Sequence, residues 1–398
     1  MTERLPEAAN RATHKRLPQW DWFLLPAVFF ATAILLAGGS ELISRLIFTE
    51  SPTGAERCMV LNDATTGARA IPNSVCYDKN LEAPVIEYKF NSCGHRAGME
   101  CGPKPTGVYR IVMIGSSVAM GDHVQQRETF AGLLPEALSQ KAERRVEVYN
   151  ESMGWGFTHS VSLRFKDAIT ANPDLIVWIL TPGDVDRASV VLVTPEEFGQ
   201  WKSKSLPVRM WLRVHAIFAR QSATTALAEA YGRSRTAMMV RRFLYRSGSL
   251  YVKAALTGND SLAGFSREPL SAHWEGQLKQ VDSDAATMEA QARDAGIPFV
   301  AAYVPNRVET TMVSMGQWPT GIDPYQLDNR LRSVIESHGG TYIDLLPEFR
   351  EISDPGRYYF PVDGHPNPEG HAALTRLMAK QLTSGVVPAL SISSTRLQ

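Results

Sequence analysis

The stretch Tyr109-Arg110-Ile111-Val112-Met113-Ile114-Gly115-Ser116-Ser117-Val118-Ala119-Met120-Gly121 decides how this chain reads. Its first six residues form a short, mainly branched apolar run, the composition of a strand covered on both faces. A Gly-Ser-Ser turn follows at once. In open parallel sheets ligands bind just past the carboxyl ends of the strands, so Ser117 stands where a nucleophile belongs. Gly115 permits a tight strand-to-loop turn, and the backbone N–H groups opening the next segment can face a developing negative charge. Small residues are common after strands, however, and Gly-Ser-Ser alone specifies nothing.

Similar apolar runs recur at 146–149, 175–180, 298–304 and 341–345, and helix-like stretches at 129–144, 159–171, 274–295, 324–338 and 368–382 alternate with them. Strands alternating with helices predict βαβ units and a three-layer α/β/α sandwich around a parallel sheet. Asn367 and Pro368 supply a cap and first turn for the last helix. Between the third run and the helix at 274 lies an insertion, 186–271, whose middle reads as helix through Met210, Trp211, Val214, Ile217 and Phe218. From Lys204 to Lys253 it carries ten Lys or Arg against one acid, Glu229. That bias suits an anionic lipid or an acidic glycan, and equally a solvated helical face.

Upstream, Trp22 to Gly39 is uncharged and close to the roughly 20 apolar residues that a helix needs to cross a bilayer. Arg4, Arg11, Lys15 and Arg16 precede it, so the positive-inside rule places the N-terminus in the cytoplasm and the bulk of the chain outside. The expectation is a single-pass inner-membrane protein with a cytoplasmic N-terminus at 1–21, an anchor at 22–40 and a periplasmic remainder. A signal peptide cleaved after Ala37-Gly38-Gly39 is the competing reading. Trp20 and Trp22 at one interface and the apolar continuation through Leu46, Ile47 and Phe48 favour the anchor. Residues 41–105 then form an irregular neck, and 106–390 the catalytic domain.

All four cysteines, Cys58, Cys76, Cys93 and Cys101, fall in that neck. An even, clustered count in an oxidising compartment reads as two disulfides, and sequence proximity favours Cys58–Cys76 and Cys93–Cys101. A structural zinc site is the alternative, without a C-x-x-C pair and with His95 as the one nearby histidine. The 41 basic and 41 acidic residues balance, which gives no global attraction to nucleic acid. No P-loop or dinucleotide fingerprint occurs, and the histidines lack metal-site spacing, so neither a cofactor nor a metal is expected.

A distant segment raises Ser117 above coincidence. A serine hydroxyl is a poor nucleophile at neutral pH; it needs a base, and the base needs an orienting carboxylate. Asp363-Gly364-His365-Pro366-Asn367 offers both in one short turn. His371 sits in the following helix and suits packing. His123 could reach the site but has only Asp122 beside it.

Together these residues resemble the SGNH/GDSL hydrolase superfamily, including membrane-attached bacterial members related to polysaccharide O-acetylation enzymes. The resemblance covers about residues 85–385. It includes Asn91-Ser92-Cys93-Gly94-His95-Arg96, similar to an N-x-x-G-x-R element found upstream of the first block, and the late D-x-H-x-N. It implies a flavodoxin-like sheet, Ser117 as first-block nucleophile with Ser116 in place of the usual aspartate, and His365 with Asp363 as base and partner. Asn150-Glu151-Ser152-Met153-Gly154 is similar to the second block, which makes Gly154 an oxyanion-hole donor beside the Ser117 N–H, with Gly156 in reserve. The third block departs from the pattern: Thr181-Pro182-Gly183-Asp184 lacks the asparagine donor, whose loss typically costs about 100–1000-fold in rate. The Gly183 N–H, Asn150 or Asn306 could take its place, and Asp184 reads as structural. The activity so implied is hydrolysis or transfer of O-acyl groups on an acylated carbohydrate or other small ester. The alternative is a catalytically weakened scaffold or glycan-binding component of an envelope assembly.

Overall fold

In the computed structural model of the chain, residues 20–49, 54–60, 67–154, 156–190, 234–258 and 260–391 are described. Two small antiparallel pairs come first: β1 (Met59–Val60) with β2 (Arg69–Ala70), and β3 (Val75–Lys79) with β4 (Val85–Lys89). The other strands, β5 (Tyr109–Ile114), β6 (Val146–Asn150), β7 (Leu175–Leu180), β8 (Phe299–Tyr303) and β9 (Thr341–Asp344), make one sheet in the order β6-β5-β7-β8-β9. Every pairing in it is parallel. The chain leaves β5 on one side to form β6 and returns on the other as β7. The loops after β5 and β7 therefore diverge and open a crevice at the switch point.

The uniformly apolar runs are explained by helices on both faces. Along β5, Val112 and Ile114 point into one core while Ile111 and Met113 point into the other; β7 splits in the same way, with Ile176, Trp178 and Leu180 opposed to Leu175, Val177 and Ile179. The first core is covered by helices Thr158–Thr170, Ala272–Asp294 and Gln326–Ser337, through residues such as Phe165, Trp274, Leu278 and Leu331. Helices Phe130–Ala142 and Pro368–Gln381 cover the second, through Leu134, Leu138, Leu374 and Met378. Side chains alternate across a strand, so one apolar sequence feeds two cores. The three-layer α/β/α expectation is met.

Helix Arg307–Met315 is an element that hydrophobic patterning does not announce. Its start is written in polar residues: the Asn306 side chain accepts from the N–H groups of Val308 and Glu309, and Glu309 reaches back to the Asn306 N–H. This is a capping box, legible as Asn-x-x-Glu. The expected helical centre of the insertion, around Met210 to Phe218, lies outside the described residues. The insertion's described part includes helices Arg235–Leu244 and Gly248–Thr257, and Val252 and Ala255 of the latter enter the first core.

Helix Asp21–Ile47 runs past the expected end of the apolar segment. By length and composition Trp22–Ile47 can cross a membrane, and none of its apolar window is buried. In the neck, Cys58 is bonded to Cys76 and Cys93 to Cys101, each with Cα atoms 6.1 Å apart. Zinc ligation by these cysteines is thereby excluded.

Candidate active site

Ser117 opens a one-turn helix, Ser117–Met120, directly after β5. A Cβ on Gly115 would lie 2.8 Å from Ala119 Cβ and 3.0 Å from the Ile179 carbonyl oxygen, so the chain turns this closely against β7 only with glycine there. The helix ends at Gly121, whose φ of +84° is left-handed. Arg96 then fixes the loop beyond: its buried guanidinium donates to the carbonyls of Met120 (2.9 Å), Gly121 (2.7 Å) and Val124 (2.7 Å) and stacks on the Tyr88 ring. Asn91 Oδ1 accepts from the N–H groups of Cys93 and His95, and Gly94 turns at φ +79°. The Asn-x-x-Gly-x-Arg element is thus a turn that delivers one arginine beneath the serine's loop.

The second half of the site arrives from 248 residues away. The Oδ1 atom of Asp363 accepts from both the backbone N–H of His365, at 3.1 Å, and its ring Nδ1, at 2.6 Å. Gly364 between them has φ +87°, which closes the turn tightly enough for one carboxylate oxygen to reach both. With Nδ1–H given to Asp363, the lone pair of Nε2 faces Ser117 Oγ at 2.8 Å. The spacing of one residue between acid and base is what makes the double contact possible.

The neck holds this turn from below. Glu82 accepts from the N–H groups of Val362 (3.0 Å) and Asp363 (2.7 Å), and the Asn80 amide donates to Asp363 Oδ2 at 3.0 Å. His123 Nε2 lies 3.4 Å from the same Oδ2, and its Nδ1 lies 3.6 Å from Asp78. No local signal marks Asn80 or Glu82, whose partner Asp363 lies 283 and 281 positions away; His123, near enough to Ser117 in sequence to reach the site, finds its carboxylate in the same Asp363. The His123 ring meets the His365 ring edge-on, centroids 5.4 Å apart.

Burial works to raise the Asp363 carboxyl, but the charges and hydrogen bonds of His365 and His123 outweigh it and hold it well below the ordinary range. Burial likewise works to lower His365, and the Asp363 carboxylate overrides it, so the imidazole sits above its usual value. His123 follows the same logic, raised to about 9 by Asp363, Asp122 and Asp78 against its own desolvation. The side chains of His365 and Asp363 keep 25% and 21% exposure, so solvent screens part of this coupling. His371, by contrast, is fully buried, takes the Phe130 N–H on Nδ1 and is pushed down to about 3, chiefly by burial. It is a packing histidine, as its helical position suggested.

Of the expected oxyanion donors, Ser117 and Gly183 occupy the first turns of short helices, Ser117–Met120 and Pro182–Asp186, where N–H groups have no intrahelical acceptor. The Gly154 N–H points instead at Met120 Sδ, 3.2 Å away, a weak acceptor. Gly156 gives its N–H to the Met153 carbonyl, and the Asn150 amide is taken by the Ala119 carbonyl. Asn306 gives its Oδ1 and its backbone N–H to the helix cap, and neither is its amide donor Nδ2. Asp184 accepts from the N–H and the hydroxyl of Thr181, at 2.9 and 2.6 Å, which locks the loop after β7. Among the described residues, His123, Asp363 and His365 are the group able to hold a metal, with ligand atoms within 4.8 Å of one another. An ion there would occupy nitrogen or carboxylate lone pairs that the contacts above use.

No protein-family model matches the sequence, and no curated protein matches it. Among solved structures, the chain is similar to a lipase/acylhydrolase from Enterococcus faecalis, with 12% identity, 69% of this chain and 95% of that one covered, and a TM-score of 0.36. It is also similar to a psychrotrophic esterase from a Pseudoalteromonas species, with 8% identity, 69% and 96% covered, and a TM-score of 0.33. A third is a member of the lipolytic G-D-S-L family from Veillonella parvula, with 11% identity, 69% and 96% covered, and a TM-score of 0.34. Likeness this distant leaves the chemistry to be read from the site's own distances.

Proposed function

We propose that the chain is a membrane-anchored, extracytoplasmic serine esterase or acyl-transfer enzyme of the SGNH type. The observation that carries the reading is the unbroken relay from Ser117 Oγ through His365 to Asp363, at 2.8 and 2.6 Å. His365 Nε2 takes the Ser117 proton as Oγ attacks the ester carbonyl, and Asp363 stabilises the imidazolium so formed. The N–H groups of Ser117 and Gly183 receive the oxyanion, with Gly154 joining if Met120 yields its contact. Collapse expels the alcohol, which takes the proton from His365 and leaves an acyl-Ser117. Water then regenerates the serine in an esterase; a sugar hydroxyl does so in an O-acyltransferase.

The substrate proposed is an O-acyl ester, acetyl by the family resemblance, on an envelope or exopolysaccharide glycan. The anchor is helix Asp21–Ile47, in the inner membrane, with the N-terminus cytoplasmic and the domain periplasmic; paired cysteines suit that oxidising side. A weakened scaffold or glycan-binding component is the second reading, favoured by the occupied Gly154 N–H and the missing third-block asparagine. Fluorophosphonate labelling separates the two. The full-length protein should label at Ser117 and cleave p-nitrophenyl acetate, and Ser117→Ala should abolish both. Labelling that survives in Ser117→Ala would reject the assignment.

A further inference from the structure

The segment that joins the membrane helix to the catalytic turn carries more than its packing requires. Glu41 ends the long apolar run of helix Asp21–Ile47. The 19 residue steps from Trp22 to Glu41 rise about 28 Å at 1.5 Å each, close to the thickness of a bilayer's hydrocarbon core. Glu41 therefore stands where the span leaves the hydrocarbon. Its carboxylate accepts from the Ser234 hydroxyl (2.8 Å) and from the N–H groups of Arg235 and Thr236 (both 3.1 Å), so it caps the N-terminus of helix Arg235–Leu244. The height of that helix is fixed at the level of the interface.

Along this helix Val240, Phe243 and Leu244 lie at the i, i+3, i+4 spacing of one face, and they are 49%, 69% and 43% exposed. Leu250, across the turn into helix Gly248–Thr257, is exposed as well, and Arg246 and Lys253 are exposed cations beside it. A soluble surface rarely leaves such a contiguous stripe uncovered. The combination of an apolar face, flanking cations and a start at the interface is that of a helix lying in the headgroup layer.

The other end of the same helix reaches the active site. Arg307 bridges the two by donating to the Tyr245 carbonyl and, at 2.6 Å, to the Pro361 carbonyl of the turn that bears Asp363 and His365. The Arg242 charge acts on Glu82, which holds the Asp363 N–H. Ten residues of helix, about 15 Å, separate the capped end from this contact.

We infer that helix Arg235–Leu244 is seated in the headgroup layer of the leaflet next to Glu41 through Val240, Phe243 and Leu244, and that the Ser117 site acts on esters borne by amphiphiles held in that lipid surface. The substrate clause rests on the esterase reading above; the seating of the helix does not. Apolar insertion supplies the binding, and Arg246 and Lys253 favour anionic headgroups.

The test uses the full chain in nanodiscs of phosphatidylethanolamine and phosphatidylglycerol. Every described cysteine is disulfide-bonded, so a fluorophore placed by Phe243→Cys reports one position; Lys141→Cys, at the far end of the sheet, is the control. Lipids carrying a nitroxide near the headgroup should quench the label at 243 several-fold more than the one at 141. Equal quenching would overturn the seating. In the second arm, Phe243→Ser with Leu244→Ser should leave p-nitrophenyl acetate hydrolysis unchanged while slowing, by at least about tenfold, a nitrophenyl acetate tethered in the bilayer by a hexadecyl tail. Parallel loss on both esters, or loss on neither, would overturn the substrate assignment. Failure of the unmodified protein to cleave either ester would count against the enzymatic reading and the substrate clause with it, while the quenching still decides the seating.

Discussion

The α/β domain and the neck are held together by different physics, yet the proposed triad draws on both. The domain is built from two apolar cores on either side of a parallel sheet, where residues such as Trp178, Phe165 and Leu134 are almost wholly buried. The neck has a small core around Tyr88 and Phe90, two disulfides and a set of polar contacts directed at the domain's loops. Hydrophobic burial tolerates small shifts; hydrogen bonds from Glu82, Asn80 and Arg96 do not. The difference suggests a division in which the domain fixes where Ser117 stands and the neck fixes how Asp363 and His365 approach it.

Four measurements would break or sharpen that division. The largest effect is expected from Asp363→Asn, which should lower kcat for p-nitrophenyl acetate by about 10⁴-fold with the thermal midpoint little changed, because the imidazole loses the partner that sets its tautomer. A loss below tenfold would show that the turn is held by the neck alone. Next, Trp178→Ala should reduce unfolding stability by about 3–5 kcal/mol in a denaturant titration, whereas removing the Cys58–Cys76 bond, which spans 18 residues, should cost about 3 kcal/mol or less. Hydrogen exchange should then speed up in β3 and β4 and leave β5 and β7 protected. Uniform acceleration would merge the two regions into one cooperative unit.

Glu82→Ala should cost about tenfold in kcat/KM with near-native stability, since it frees two N–H groups of the catalytic turn. A midpoint drop as large as that of Trp178→Ala would assign Glu82 to the fold rather than to the site. The smallest effect concerns pH. His365 must be neutral to accept the serine proton, and its value is raised, so kcat/KM should climb with pH through a limb above the ordinary imidazole value of 6.5. The His123 charge opposes protonation of His365, so His123→Gln should move that limb to higher pH. A limb that stays put or moves down would mean that the two rings titrate as one unit or that His123 is uncharged.

Much of the domain was legible because its strands are mainly apolar and alternate with helices. The expected runs at 109–114 and 175–180 coincide with β5 and β7, and the last helix begins on the Asn367 cap that its sequence advertises. Polar elements were harder to see. Helix Arg307–Met315 escaped because seven of its nine residues are buried in a mixed polar and apolar environment, and its capping box was the one available sign. The oxyanion side was harder still. That Gly154 directs its N–H to Met120 depends on where two loops meet, and glycine carries no side chain whose chemistry could reveal it.

What the sequence determined by itself was the set of parts: a span of membrane length, four cysteines near enough to pair, a serine after a buried strand, and an acid and base in one turn. Local periodicity and residue chemistry suffice for these, since each is decided within about twenty positions. Only the tertiary structure decided which parts meet. Ser117 and His365 become neighbours because the parallel sheet brings the loop after β5 and the turn before the last helix to one rim. Asn80 and Glu82 join them because packing, not chain proximity, sets distance in a folded core.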